Sequence, residues 1–377
     1  MNRSNGPIIE RVHRAIEERV FPGCVVGMVD REGERTVLPF GRFTYDSRSP
    51  TVNHDTVYDV ASITKAVPVS CLALRLIGEG RLRLDDRLIE YVPEFSNPDR
   101  EEVRVRHLLT HTLHFGFALS SLKDESPETI MRAIFQTPFA SKPGRFFSYA
   151  NATSILLGLV VERVYGEPLD AVSERVFFSP LGMRRTTFQP LLHFQNNEIA
   201  PTEIDPWRGV TVQGEVHDES AWALLGGRRI EDKQGRTQED NGCEENFVPK
   251  IPGSAGLFST APDFLAFLQM LLGGGWSRGT PYFTEATMRS MYTNQIPHLG
   301  LCTGLGWELN QPHYMGQNCS QSTFGKTGFT GCVCLCDIEK GIGMVLLANC
   351  IYPWRKPDKE SINAFRRDIA DIIFYTQ

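Results

Sequence analysis

The sequence predicts an α/β plus helical fold: an antiparallel sheet built from the N- and C-terminal thirds, flanked by terminal helices, with a mainly helical lobe inserted between them. Strand hairpins are readable near both ends, each beside an amphipathic terminal segment, and the long middle shows helical segments punctuated by Gly and Pro with no repeat period. At 377 residues the chain exceeds the size at which one hydrophobic core stops growing, so a sheet domain (1–61 and 300–377) and a helical lobe (62–299) are expected.

Taken in order, Ile9, Val12, Ile16 and Val20 follow helical spacing and stop before Pro22-Gly23. The apolar run Cys24 to Val29, the turn Asp30-Arg31-Glu32-Gly33 and the run Thr36 to Phe40 form a β-hairpin. Ser62 opens an apolar stretch through Val67, Leu72, Leu74, Leu76 and Ile77 that reads as a buried helix, with Pro68 expected to remove a hydrogen bond and kink it. Further helices are predicted over Ser154 to Val164 and Asp263 to Leu272. Arg228 to Glu245 is polar and nearly free of aliphatic residues, the pattern of a long exposed loop that serves as linker or substrate lid. Strand signals return at Leu305 to Leu309, Gly331 to Cys336 and Gly341 to Asn349, the last two joined by a turn at Asp337 to Lys340. Ile362, Phe365, Ile369 and Ile372 mark one face of a terminal helix.

Composition narrows the function. Hydrophobic residues at 41% and charged residues at 22% are those of a folded globular chain. With 39 Lys+Arg against 45 Asp+Glu the net charge is −6, the wrong sign for holding a phosphate backbone, so nucleic acid is not an expected partner. Apolar runs such as Ile155 to Val161 and Met344 to Ala348 fall far short of the roughly 20 residues that span a bilayer. Met1 to Pro7 passes into the first helix without the apolar core of a secretory signal, which points to a cytoplasmic protein. The nine cysteines read as reduced thiols, with Cys332, Cys334 and Cys336 alternating onto one strand face as small hydrophobes.

Ser62-Ile63-Thr64-Lys65 places a hydroxyl and an amine at i, i+3, on one face of a helix, where they could act as nucleophile and base. Ser120-Ser121-Leu122-Lys123 has the same spacing, so context decides. Ser62 begins a buried helix, whose free N–H groups and dipole favour developing negative charge, whereas Ser120 leads into the solvated run Lys123 to Pro127. Two further elements follow in order: Tyr149-Ala150-Asn151 before a helical run, and Lys326-Thr327-Gly328 before the strand near Gly331. Together the three resemble the penicillin-recognising active-site serine enzymes, in the branch of class C β-lactamases, DD-peptidases and related esterases. Leu82 to Leu88, Val105 to Thr112 and Gly253 to Ala261 look like framework segments of the same group, so the resemblance covers most of the chain. Many esterase-like members carry His where this sequence has Lys326.

The resemblance implies a β-lactamase/transpeptidase-like fold and a cofactor-free, metal-free serine hydrolase acting on a small ester or amide. It implies that Ser62 forms an acyl-enzyme and that Lys65 and Tyr149 share the removal of its proton. Asn151 would hold Lys65 and the substrate carbonyl, and Lys326 would add positive charge or engage an anionic substrate group. The N–H groups of Ser62 and Phe329 would form the oxyanion hole, beside Thr327 and Gly328. A phenol of pKa about 10 serves near neutrality only if nearby cations depress it, and Lys65 and Lys326 are the candidates. Three alternatives stand beside this: an acyltransferase using the same acyl-enzyme, an inactive binding relative, and a metal-dependent hydrolase at His107, His111 and His114, which are spaced i, i+4 and i+3.

Overall fold

The computed structural model describes residues 5–122, 125–204, 211–214, 251–356 and 359–375, so the polar stretch 228–245 lies outside the described residues. The turn predicted at Asp30 to Gly33 closes through a hydrogen bond from Gly33 N to Asp30 O (3.1 Å), pairing β1 (Gly23–Asp30) with β2 (Arg35–Gly41) antiparallel. The C-terminal part supplies β3 (Glu308–Leu309), β4 (Thr323–Thr327), β5 (Val333–Asp337) and β6 (Ile342–Ala348). All pairings are antiparallel, in the order β2-β1-β6-β5-β4-β3. The two ends of the chain join where β1 lies against β6, with Cys24 opposite Ala348 and Asp30 opposite Ile342.

Both faces of this sheet are covered, which is why its strands read as nearly continuous apolar runs. Val25, Val29, Cys332, Cys334, Cys336, Val345 and Leu347 point into the core shared with the helical lobe. Cys24, Val26, Met28, Val333, Leu335, Met344 and Leu346 point to the second core, beneath α1 (Gly6–Glu17) and the C-terminal helix Glu360–Phe374. The alternating cysteines therefore share one face as predicted, and they are buried free thiols.

One strand expectation needs correcting, and one strand was not foreseen. Leu305 to Leu309 is extended only at Glu308–Leu309, and Lys326, which precedes β5 as expected, also lies inside a strand of its own, β4. β4 is short and partly polar, and Gly325 is required there because a Cβ would sit 2.3 Å from Leu335 Cδ2 and 2.6 Å from Cys334 O.

The stretch after Ser62 is helical in three modes: a 3₁₀ turn at Ala61–Lys65, a π turn at Ala66–Ser70, and α2 (Cys71–Gly78). The expected kink is at Val67 (φ −116°, ψ 111°), the residue that Pro68 forces out of the helical region. Ala61–Gly78 is the length of a membrane span and apolar enough to be one, longer than any run legible in the sequence, but 78% of it is buried in the fold as the central helix of the lobe. Against it pack α4 (Asn151–Tyr165) and the helix Glu285–Tyr292; α3 (Val105–Leu109) packs on α4, and α5 (Ala261–Leu272) lies across β1 and β6.

Candidate active site

The site begins with a tight backbone turn. The Asp59 carboxylate accepts from Ala61 N (2.7 Å), and Ala61 adopts φ 46°, a left-handed conformation that costs an alanine roughly 1–2 kcal/mol. Ser62 follows as the second residue of the 3₁₀ turn, where its N–H has no intrahelical partner. One turn on, the Lys65 ammonium is buried and donates to Ser62 Oγ (3.0 Å) and to Ser254 O (2.5 Å). The segment Gly253 to Ala261 thus has a task in the site, fixing the lysine against Ser62. Asn151, expected to hold Lys65 as well, is the first residue of α4.

Tyr149 brings its ring to 4.4 Å from Lys326 Nζ and 5.3 Å from Lys65 Nζ, and its phenol is in hydrogen-bonding contact with Ser62. Burial pushes the phenol pKa up, but Lys326, Lys65 and the Ser62 contact together outweigh it and hold the phenol below its usual value. Lys326 is itself buried. Burial alone would lower its pKa, but the adjacent Glu308 carboxylate and Tyr149 raise it. Glu308 pairs with it from the neighbouring strand and also accepts from Tyr314 OH (2.6 Å). Burial would raise the Glu308 pKa, but Lys326 and Tyr314 hold it below the usual range, so the pair is charged.

The turn after β4 is seated on the backbone just ahead of Ser62. A Cβ on Gly328 would lie 2.3 Å from Val60 O, so only glycine permits this approach, and Thr330 Oγ1 donates to Asp59 O (2.6 Å). Phe329 is carried between these two anchors. Among the described turn and loop hydrogen bonds, neither the Ser62 nor the Phe329 N–H is used, so both are available to an oxyanion. From the C-terminal helix the buried Arg366 donates to Gly328 O (2.7 Å), Cys332 O (3.0 Å) and Gly331 O (3.1 Å), clamping the turn from behind. Thr327 ends β4 opposite Val333.

Ser62, Lys65, Tyr149, Lys326 and the Gly328-Phe329 turn therefore meet, whereas the three histidines do not. A metal site at i, i+4 needs a continuing helix, and α3 ends at Leu109, with His111 at φ 53°. His107 Nδ1 accepts from Arg104 N (3.1 Å), and burial together with Arg106 and Arg104 pushes its pKa down to about 4. His111 Nδ1 meets Thr153 Oγ1 (2.7 Å), and His114 stacks on Phe146 (4.6 Å). Among the described residues no group of three potential ligands could hold a metal ion. Ser120 lies exposed on a separate 3₁₀ turn, and Lys123 is outside the described residues.

Glu308 and Arg366 were not found from the sequence. Glu308 pairs through strand register, which sequence spacing does not reveal. Arg366 did leave a signal, a lone cation at position i+4 of the apolar stripe Ile362, Phe365, Ile369.

Residues 9–366 match the family described as Beta-lactamase. A protein of Escherichia coli K12 with the provisional name D-alanyl-D-alanine carboxypeptidase is 30% identical over 328 residues, which is 78% of this chain and 69% of that protein. A hydrolase with promiscuous acyltransferase activity superposes with a TM-score of 0.71 at 21% identity, covering 98% of this chain and 99% of its own. Unliganded simvastatin synthase from Aspergillus terreus does so with a TM-score of 0.71 at 18% identity, over 98% and 99% of the two chains.

Proposed function

The chain belongs to the Beta-lactamase family, and from that premise we propose that it is a serine hydrolase that forms an acyl-enzyme on Ser62 and cleaves a small ester or amide. The observation that carries this is the nucleophile's surroundings: Ser62 Oγ lies 3.0 Å from Lys65 Nζ and in contact with a phenol flanked by two ammonium groups. A substrate carbonyl oxygen would sit between the Ser62 and Phe329 N–H groups, where the tetrahedral oxyanion is stabilised as it forms. The Ser62 proton passes to the Tyr149 phenolate, with the Lys65 ammonium holding both oxygens in place. Collapse of the intermediate breaks the bond to the alcohol or amine, which leaves with that proton. Water, activated by the same phenolate, then attacks the acyl-enzyme and restores Ser62.

Lys326 bears on substrate class. Its charge is engaged by Glu308 on one side and Tyr149 on the other, which favours a role in lowering the phenol pKa over capture of a substrate carboxylate. Neutral esters are therefore the favoured substrates. Transfer to an alcohol or amine in place of water is the second reading; the exposure of Tyr149 (46%) and the acyltransferase activity named for one structural neighbour favour it.

Turnover of short-chain nitrophenyl esters, a chromogenic cephalosporin and D-amino-acid peptides, with and without added alcohol, tests the proposal. Ester cleavage is expected to be fastest and to vanish in Ser62→Ala, with product ester in the alcohol arm marking transfer. If no substrate is turned over in a Ser62-dependent way, the proposal fails.

A further inference from the structure

His111 has no part in the chemistry above, yet it touches Phe147, Ser148 and Tyr149 and reaches Ala150 through Thr153. Its carbonyl accepts from Ser148 N (2.8 Å), its ring lies 4.9 Å from the Tyr149 ring, and the Phe147 ring meets it edge-on at 6.4 Å. Its Nδ1 lies 2.7 Å from Thr153 Oγ1, which is also 2.6 Å from Ala150 O. A threonine has one hydroxyl proton, and two oxygens 2.6 Å apart need a proton between them, so Thr153 donates to Ala150 O and accepts from His111 Nδ1–H. Thr153 is fully buried in α4, which makes it a fixed anchor. The positive φ of His111 is what turns its carbonyl and its ring toward the same segment.

We propose that His111 is the positioning residue for Tyr149, gripping the peptide on either side of it through its own carbonyl and through Thr153. The inference rests on the reading of Tyr149 as the base of a serine hydrolase. The groups facing this pair are Lys65, Lys326, Ser62 and, behind Lys326, Glu308. Burial, then Lys326 and Lys65, push the His111 pKa well below its usual value, so the ring that lies against the phenol is neutral and adds no third cation. Its task is to keep the phenol between the two ammonium groups that stabilise the phenolate.

The test uses Thr153→Val, which preserves shape but removes the anchor, and Thr153→Ser, which restores the hydroxyl. His111→Asn serves as a second probe, because asparagine tolerates positive φ while removing the ring. Tyr149 is titrated by ultraviolet difference against the same protein carrying Tyr149→Phe, and ester hydrolysis is followed against pH. In Thr153→Val and His111→Asn, kcat is expected to fall roughly 10- to 100-fold with KM within about twofold, and Tyr149 to titrate at higher pH than in the parent. Thr153→Ser recovers both. An unchanged Tyr149 titration in both variants overturns the proposal whatever the rates do. If the hydrolase reading itself fails, the parent shows no Ser62-dependent turnover, yet a shifted titration still establishes the clamp.

Discussion

Ser62, Lys65, Tyr149 and Lys326 come from three distant stretches of chain, and what makes them a unit is charge: a phenol lies between two ammonium groups, one of which is itself neutralised in part by Glu308. If the phenolate is the active form, activity rises with pH through the Tyr149 pKa. Lys326→His removes a cation that lowers this pKa, so the ascending limb of kcat/KM should move up by roughly 1–3 pH units and the rate at neutral pH should fall for every substrate. Glu308→Gln removes the carboxylate that opposes it, so the limb should move the other way, to lower pH. A pH profile of the two variants against the parent checks both signs; shifts in the same direction would contradict the assignment. The four residues were legible in the sequence because each sits in a local pattern of three or four residues. Glu308 was not, because the pairing that brings it to Lys326 is made across strands 18 residues apart.

At the level of elements, the site depends on one turn, Gly328 to Cys332, held between the Asp59 to Ala61 backbone and Arg366. Arg366→Met would fill the volume but remove a charged donor that three carbonyls share, of which Gly328 O and Cys332 O keep a backbone donor and Gly331 O does not, costing about 2 kcal/mol. Because those carbonyls orient the peptide that carries the Phe329 N–H, kcat should drop while KM changes little. Thermal unfolding and steady-state kinetics on one preparation check the pair of effects, and lost stability with unaltered kcat would remove Arg366 from the support of the oxyanion hole. The hairpins and terminal helices were legible because each has its own periodicity. β4 was not, since Thr323–Thr327 is short, interrupted by glycine and stabilised by its neighbours rather than by propensity.

Across the whole molecule, a sheet closed by residues 23–41 against 308–348 forces the ends of the chain together and leaves the intervening helices on one face. The groups proposed to act in catalysis lie at that junction: Ser62 and Tyr149 from the helical side, Lys326 and Phe329 from the sheet. This division was readable from where strand and helix patterns fall along the chain, and so was the helical run from Ser62 with its break at Pro68, whereas its winding first as a 3₁₀ and then as a π turn was not. The central claim, an acyl-enzyme on Ser62, is tested most directly by intact-mass measurement and peptide mapping after reaction with a fluorophosphonate or a penicillin. One adduct is expected, on the peptide containing Ser62, absent from Ser62→Ala and retained in Ser120→Ala. An adduct mapped to any other serine, or one that survives in Ser62→Ala, would contradict it.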